Sequence, residues 1–169
     1  MAQDLSALLL FLEQKDLEKS SAQAQKALSE IRFMIGMQHI DLSEGFETII
    51  KNAALTFEQN YGIKTEFLSA VSPSLKLSTE IQLNLLRIVQ EALNNAAHHA
   101  QASLVKVKLL TFNKTLNLSV SDNGTGLKAP DSSRKHYGLE NMKNRTQALG
   151  GTFQIKSENG VTILISIPL

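Results

Sequence analysis

The 169-residue chain contains no cysteine and no tryptophan, and these absences close off several functions. Without cysteine there is no disulfide framework, no thiol nucleophile and no thiolate-ligated zinc. Aromatic residues make up only 5% of the chain, too few for a surface that stacks nucleic-acid bases. The net charge is +1, so no field of one sign draws the chain to a polyanion or an acidic membrane. The apolar run Leu8 to Leu12 is far too short to span a bilayer. No charged segment followed by an apolar one opens the chain, so no signal peptide is expected. These absences are compatible with a cytoplasmic setting, and neither nucleic acid nor membrane is expected as a partner. Hydrophobic residues at 43% and charged residues at 20% are ordinary for a globular chain. They suffice for one domain with a sizeable core and a helical extension.

The most informative stretch is LLRIVQEALNNAAHHA at 85–100, which reads as one amphipathic helix. At about 100° per residue, Leu86, Val89, Ala92, Leu93, Ala96 and Ala97 share a broad apolar side. Arg87, Glu91, Asn94, Asn95 and His98 gather on an opposing arc. A solvated face normally carries good helix formers, whereas two adjacent asparagines in mid-helix compete with the backbone for hydrogen bonds. Glu91 and Asn95 are i and i+4 and point the same way. A carboxamide oxygen suits Mg²⁺ that keeps most of its waters and shares phosphate oxygens. A carboxylate beside it suits orienting or deprotonating a nucleophile. The pattern is short, and a polar stripe that merely bonds its neighbours is the competing reading.

Around that helix, periodicity sets out the rest. Residues 2–37 look helical, with Leu5, Leu8, Leu9 and Leu12 in one seam and Leu17, Ala24, Leu28, Ile31 and Ile35 in another. A turn at Gln14–Asp16 makes this an antiparallel hairpin, which needs a partner for its apolar faces and so predicts a homodimer through residues 2–37. Residues 1–40 and 41–169 are thus expected as two domains. A further helix starts near Ser43 and runs to about Asn60, with Phe46, Ile49, Ile50, Ala53 and Phe57 inward and Gly62 as its stop. Ile63 to Ser69 alternates like a strand. Val105, Val107 and Leu109 alternate with lysines, and Leu116, Leu118 and Val120 with polar residues, around a loop at Asn113–Lys114. A helix over 138–149 follows, then strands at 152–157 and 161–167 around Glu158–Gly160. The expected fold is α+β: a two-layer α/β sandwich, its mixed, largely antiparallel sheet covered by helices on one face, with an N-terminal helical hairpin.

Two glycine elements add chemistry. In SDNGTGL at 121–127, Asp122 lies just past a strand tip, where its carboxylate suits the exocyclic amine of adenine. Gly124 and Gly126 permit positive φ and close backbone approach. In His136-Tyr137-Gly138-Leu139, a helix begins whose free amides can hold phosphates. The polar segment between the two would act as a lid over a bound nucleotide.

These boxes resemble the ATP-binding catalytic domain of sensor histidine kinases, within the GHKL ATPase superfamily, and more narrowly the nitrate-sensor and DesK-like branch. The matching residues are QEALNNAAHHA at 90–100, SDNGTGL at 121–127, HYGLENMKNRTQALGGT at 136–152 and GVTILISIPL at 160–169. The resemblance implies that ATP and Mg²⁺ are the cofactors and that Asn95 ligates the metal with Glu91 beside it. It implies that Asp122 holds the adenine amine, with Gly124 and Gly126 shaping that wall and Thr162 supporting it. His136, Gly138 and Leu139 would face the phosphates. His99 falls where the family places a ring against the base; His98 stands where the branch often has Lys for phosphate contact. Lys143 and Arg145 fit a solvated helix face. The N-terminal hairpin is similar to the branch's dimerisation and phosphotransfer helices but cut short. By that register Gln3 is the glutamine that orients water for dephosphorylating a partner response regulator, and the phosphoacceptor histidine lies about three residues before Met1. His39 is a boundary residue without chemistry. The implied function is the catalytic fragment of a histidine kinase, transferring the γ-phosphate of ATP to a histidine supplied elsewhere, for relay to the response regulator. A GHKL ATPase or serine kinase acting on a protein partner is one alternative, and a non-catalytic nucleotide-binding module is another.

Overall fold

The computed structural model describes residues 45–72, 74–127 and 137–169. The hairpin expected over 2–37, Gln3, His39, Ser43, His136 and the segment 128–136 lie outside the described residues. The chain divides into two compact units, Met1–Ile40 and Asp41–Leu169, and the described elements all belong to the second.

Helix α1 (Phe46–Tyr61) follows Gly45, whose carbonyl accepts the Ile49 amide at 3.2 Å. Its inward residues are those the spacing predicts, joined by Ala54. Gly62 stops it in the left-handed conformation (φ +67), donating its amide to the Glu58 carbonyl at 2.8 Å. Strand β1 (Lys64–Ala70) comes next. Helix α2 spans Thr79–Asn95, and the Ser78 hydroxyl caps it by accepting the Ile81 amide at 3.3 Å.

The helix is therefore not the single regular rod expected over 85–100. Its last five residues, Ala96–Ala100, widen into a π-helical turn. Gln101 ends it with φ +52, a left-handed stop made without glycine.

Strands β2 (Leu104–Phe112) and β3 (Thr115–Asp122) form a hairpin over Asn113 and Lys114, both at positive φ as a two-residue hairpin loop demands. Helix α3 (Tyr137–Ala148) precedes strands β4 (Thr152–Ser157) and β5 (Val161–Pro168). The five strands lie in the order β1-β2-β3-β5-β4. All neighbours are antiparallel except β1 and β2, which run parallel from Lys64↔Leu104 to Ala70↔Leu110. Helix α2 is the crossover between these two strands.

Strand alternation explains the layering. Val105, Val107 and Leu109 on β2, Leu116, Leu118 and Val120 on β3, and Ile163, Ile165 and Ile167 on β5 are all buried. Phe57 of α1, Leu85, Ile88 and Leu93 of α2 and Met142 of α3 are buried with them. Lys106, Lys108, Asn117, Ser119, Thr162 and Ser166 alternate onto the opposite face, together with the exposed Leu110 and Phe112. Helix α2 touches both α1 and α3, so whatever lies on its ends can be met by loops from either side. Truncating any one of these buried Leu, Ile or Phe side chains to Ala would cost about 2–5 kcal/mol.

Candidate functional site

Two glycines press on α2, and they locate the site. Gly138, in the first turn of α3, lies against the Glu91 side chain. A β-carbon there would collide with Glu91 Oε1 and stand 3.1 Å from its Cδ. Gly124, in the loop after β3, lies against the end of the π turn, where a β-carbon would collide with the Ala100 carbonyl oxygen. Both glycine elements of the sequence thus close on one helix. Their two points of contact are nine residues apart, roughly 13 Å at ~1.5 Å per residue. That separation is comparable with the span of an extended nucleoside triphosphate.

At the Gly138 end, Glu91 and Asn95 are half-buried on successive turns of α2. The first-turn amides of α3, at Gly138 and Leu139, have no partner within their own helix and make a site of positive potential. Among the described residues, no group of three or more His, Cys, Asp or Glu could hold a metal ion. Glu91 and Asn95 offer hard oxygens but no complete shell. That donor set fits Mg²⁺, which keeps its waters and shares phosphate oxygens, better than a cation needing an all-protein cage. Arg145 is engaged elsewhere: its Nη1 donates to Asn84 Oδ1 at 3.1 Å, tying α3 to the earlier part of α2. Lys143 is exposed.

At the other end, Asp122 closes β3 on the same sheet face as Leu116, Leu118 and Val120. Its Oδ1 accepts the Gly124 amide at 2.8 Å and the Val161 amide at 3.3 Å. Gly160, at φ +97, packs so closely on the Asp122 carbonyl that no side chain fits there. The next residue, Asn123, locks the loop to the chain leaving α2. Its Oδ1 accepts the amides of Ser103 and Leu104 at 3.0 and 2.9 Å, and its Nδ2 donates to Ser103 Oγ at 2.9 Å. The Thr125 amide donates to the Ala100 carbonyl at 2.8 Å. Ser157 Oγ accepts the Leu127 amide at 2.7 Å, beside Gly126 at φ +75. The Asp122 carboxylate is thus held on one side, by two amides, with the other oxygen available to a donor.

The structure places Thr162, His98 and His99 as follows. Thr162 pairs with Ser121 and Lys156. It alternates with buried Ile163, so its side chain belongs to the face of the sheet that the helices leave open, away from Asp122. Val161 holds the position beside that carboxylate instead. His98 turns its ring edge-on to Tyr61 of α1, with centroids 5.6 Å apart. His99 is exposed, its ring centroid 6.4 Å from that of His98. Sequence reasoning overlooked Asn123, Ser157, Val161 and the Ala100 carbonyl. Asn123 could have been found, as an Asx residue next to two glycines; a backbone carbonyl carries no residue signal.

Comparison with known proteins identifies the family. The sequence profile of the family described as "Histidine kinase-, DNA gyrase B-, and HSP90-like ATPase" matches residues 80–169. The chain is 32% identical over 161 residues to the signal transduction histidine-protein kinase/phosphatase DegS of Brevibacillus brevis, covering 93% of this chain and 41% of that protein. It is 30% identical over 155 residues to the nitrate/nitrite sensor protein NarQ of Escherichia coli (strain K12), covering 90% and 26%. It thus spans less than half the length of these relatives. Among solved structures, the histidine kinase domain of the Erythrobacter litoralis EL346 blue-light activated histidine kinase superposes with a TM-score of 0.62 at 16% identity. That match covers 99% of this chain and 85% of the other, a likeness of fold.

Proposed function

The chain belongs to the histidine kinase-, DNA gyrase B- and HSP90-like ATPase family, and from that premise we propose that it is the ATP-binding, phosphoryl-donating part of a sensor histidine kinase. The observation that carries the proposal is the pair of glycine contacts on α2, Gly138 on Glu91 and Gly124 on Ala100. They bring the three sequence boxes to one helix at a spacing that suits a nucleoside triphosphate. DegS and NarQ, by their names a histidine kinase/phosphatase and a nitrate/nitrite sensor, support the same reading.

In this proposal the free oxygen of Asp122 accepts the adenine amine, while the amides of Gly138 and Leu139 meet the phosphates. Asn95 holds Mg²⁺, with Glu91 beside it. The ion, when bound, neutralises charge that builds on the phosphoryl oxygens. Glu91 orients the attacking imidazole of a histidine outside the described residues and can take its proton. Catalysis is then mainly a matter of positioning and electrostatics. A response regulator receives the phosphoryl group. Dimerisation through residues 2–37 and the water-orienting role of Gln3 are parts of the same proposal that rest on sequence resemblance. The cytoplasm is the setting such a relay requires; among the described residues no helix is long and apolar enough to cross a membrane.

Calorimetry with ATP in the presence and absence of Mg²⁺ tests the nucleotide site. Saturable binding that Mg²⁺ strengthens, and that Asn95→Ala uncouples from Mg²⁺, is expected. No binding to the wild-type chain would end the proposal. Transfer is tested with γ-labelled ATP and a dimerising partner that carries a phosphoacceptor histidine: label should appear on the partner and disappear with Glu91→Gln.

A further inference from the structure

We propose that His98 is a positioning residue that ties the nucleotide site to α1, and that it makes no contact with phosphate. The inference rests on the reading of the site given above, and its argument starts from the π turn. In a continued α-helix, residue 98 would lie two turns beyond Glu91 on the same side, in line with Asn95. An i→i+5 turn advances fewer degrees per residue. Over Ala96–Ala100 this rotates His98 away from that row, toward α1, and brings His99 over the row in its place.

The ring contacts agree with that rotation. His98 meets Tyr61 edge-on, at 86° and 5.6 Å, and Tyr61 in turn lies 5.1 Å from Phe57. Phe57 is completely buried, so the chain Phe57–Tyr61–His98 runs from the core of α1 to the end of α2. Two residues beyond His98, the Ala100 carbonyl receives the Thr125 amide, and Gly124 packs on the same group. Gly124 is in turn bonded to Asp122. The aromatic contact therefore fixes the turn whose last carbonyl sets the adenine wall. A cationic side chain reaching for phosphate at 98 would have to leave this packing.

The test uses the full chain and the variants His98→Phe, His98→Ala, Tyr61→Leu and the double variant Tyr61→Leu/His98→Ala, with His98→Leu in reserve should the alanine variant not fold. Two readouts are taken: the backbone amide resonances of Gly124 and Thr125, and affinity for a fluorescent ATP analogue between pH 5.5 and 8. His98→Phe keeps the ring edge; it should bind within threefold of wild type and leave the Thr125 resonance in place. His98→Ala and Tyr61→Leu should each shift that resonance and weaken binding five- to tenfold. The double variant should be no worse than either single change, as coupled residues require. Two results would overturn the proposal. One is loss of tenfold or more in His98→Phe with Thr125 unmoved. The other is a gain in wild-type affinity toward the acid end of that range that His98→Phe abolishes; either would mean a direct phosphate contact. If the wild-type chain binds no nucleotide, the proposed function fails, whereas the Thr125 resonance in the Ala and Phe variants still decides the role of His98.

Discussion

The α-carbon of Gly138 rests against the carboxyl group of Glu91, leaving no room for even a methyl group between α3 and α2. The atom in the way is the far end of a flexible side chain, so the fold can yield while the site cannot. Gly138→Ala should therefore leave stability within about 1 kcal/mol of wild type, yet lower phosphoryl transfer at least tenfold by displacing the Glu91 carboxylate. Thermal melting and transfer to a partner histidine, measured on the same preparation, separate the two effects.

Gly124→Ala should behave differently. Its new methyl group would meet the backbone of Ala100, which cannot rotate aside. The Thr125–Ala100 hydrogen bond must lengthen or break, and the substitution should cost about 1–3 kcal/mol in denaturant unfolding. Nucleotide affinity should fall with it, because the adenine wall moves.

Asp122 separates structure from recognition. Asparagine keeps an oxygen for the amides of Gly124 and Val161 but offers a weaker, uncharged acceptor to the base. Asp122→Asn should fold normally and bind ATP at least tenfold more weakly by calorimetry. Asp122→Ala leaves two amides without their acceptor and should also lose about 1–3 kcal/mol of stability.

Thr162→Val should leave nucleotide affinity within twofold of wild type, since residue 162 lies on the sheet face opposite Asp122. A larger loss would mean that the strand's register changes when nucleotide binds. Val161→Thr adds a hydroxyl on the Asp122 side and is the informative companion.

The layering was legible in the chain itself. Alternation through Val105–Leu109, Leu116–Val120 and Ile163–Ile167 marks the buried sheet face, and Gly62 marks the end of α1 because only a left-handed residue fits there. The correct face for Thr162 was equally readable: it falls out of phase with three isoleucines, while Asp122 is in phase with Leu118 and Val120. Parity along the strand is the physical constraint that decides which face a side chain takes. Two features carried no local signal. The parallel pairing of β1 with β2 joins Lys64 to Leu104, a contact that hydrophobic spacing within either strand cannot announce. The π turn is made of alanines and histidines that carry no local mark of it; Tyr61 and Gly124 pack on its two sides.

Strand β1 stands at the margin of the sheet and, among the described residues, pairs with a single strand, forty residues further along the chain. The β2–β3 and β4–β5 pairs, by contrast, are zipped locally by short loops. The α1–β1 piece is thus the part that can peel away while the remainder stays intact, and its amide hydrogens should exchange with deuterated solvent before those of the two hairpins. With α1 leaning on His98, ATP should slow that exchange in a strand it never touches. The margin of the sheet would then report on occupancy, and anything that pulled on α1 would loosen the grip on the nucleotide.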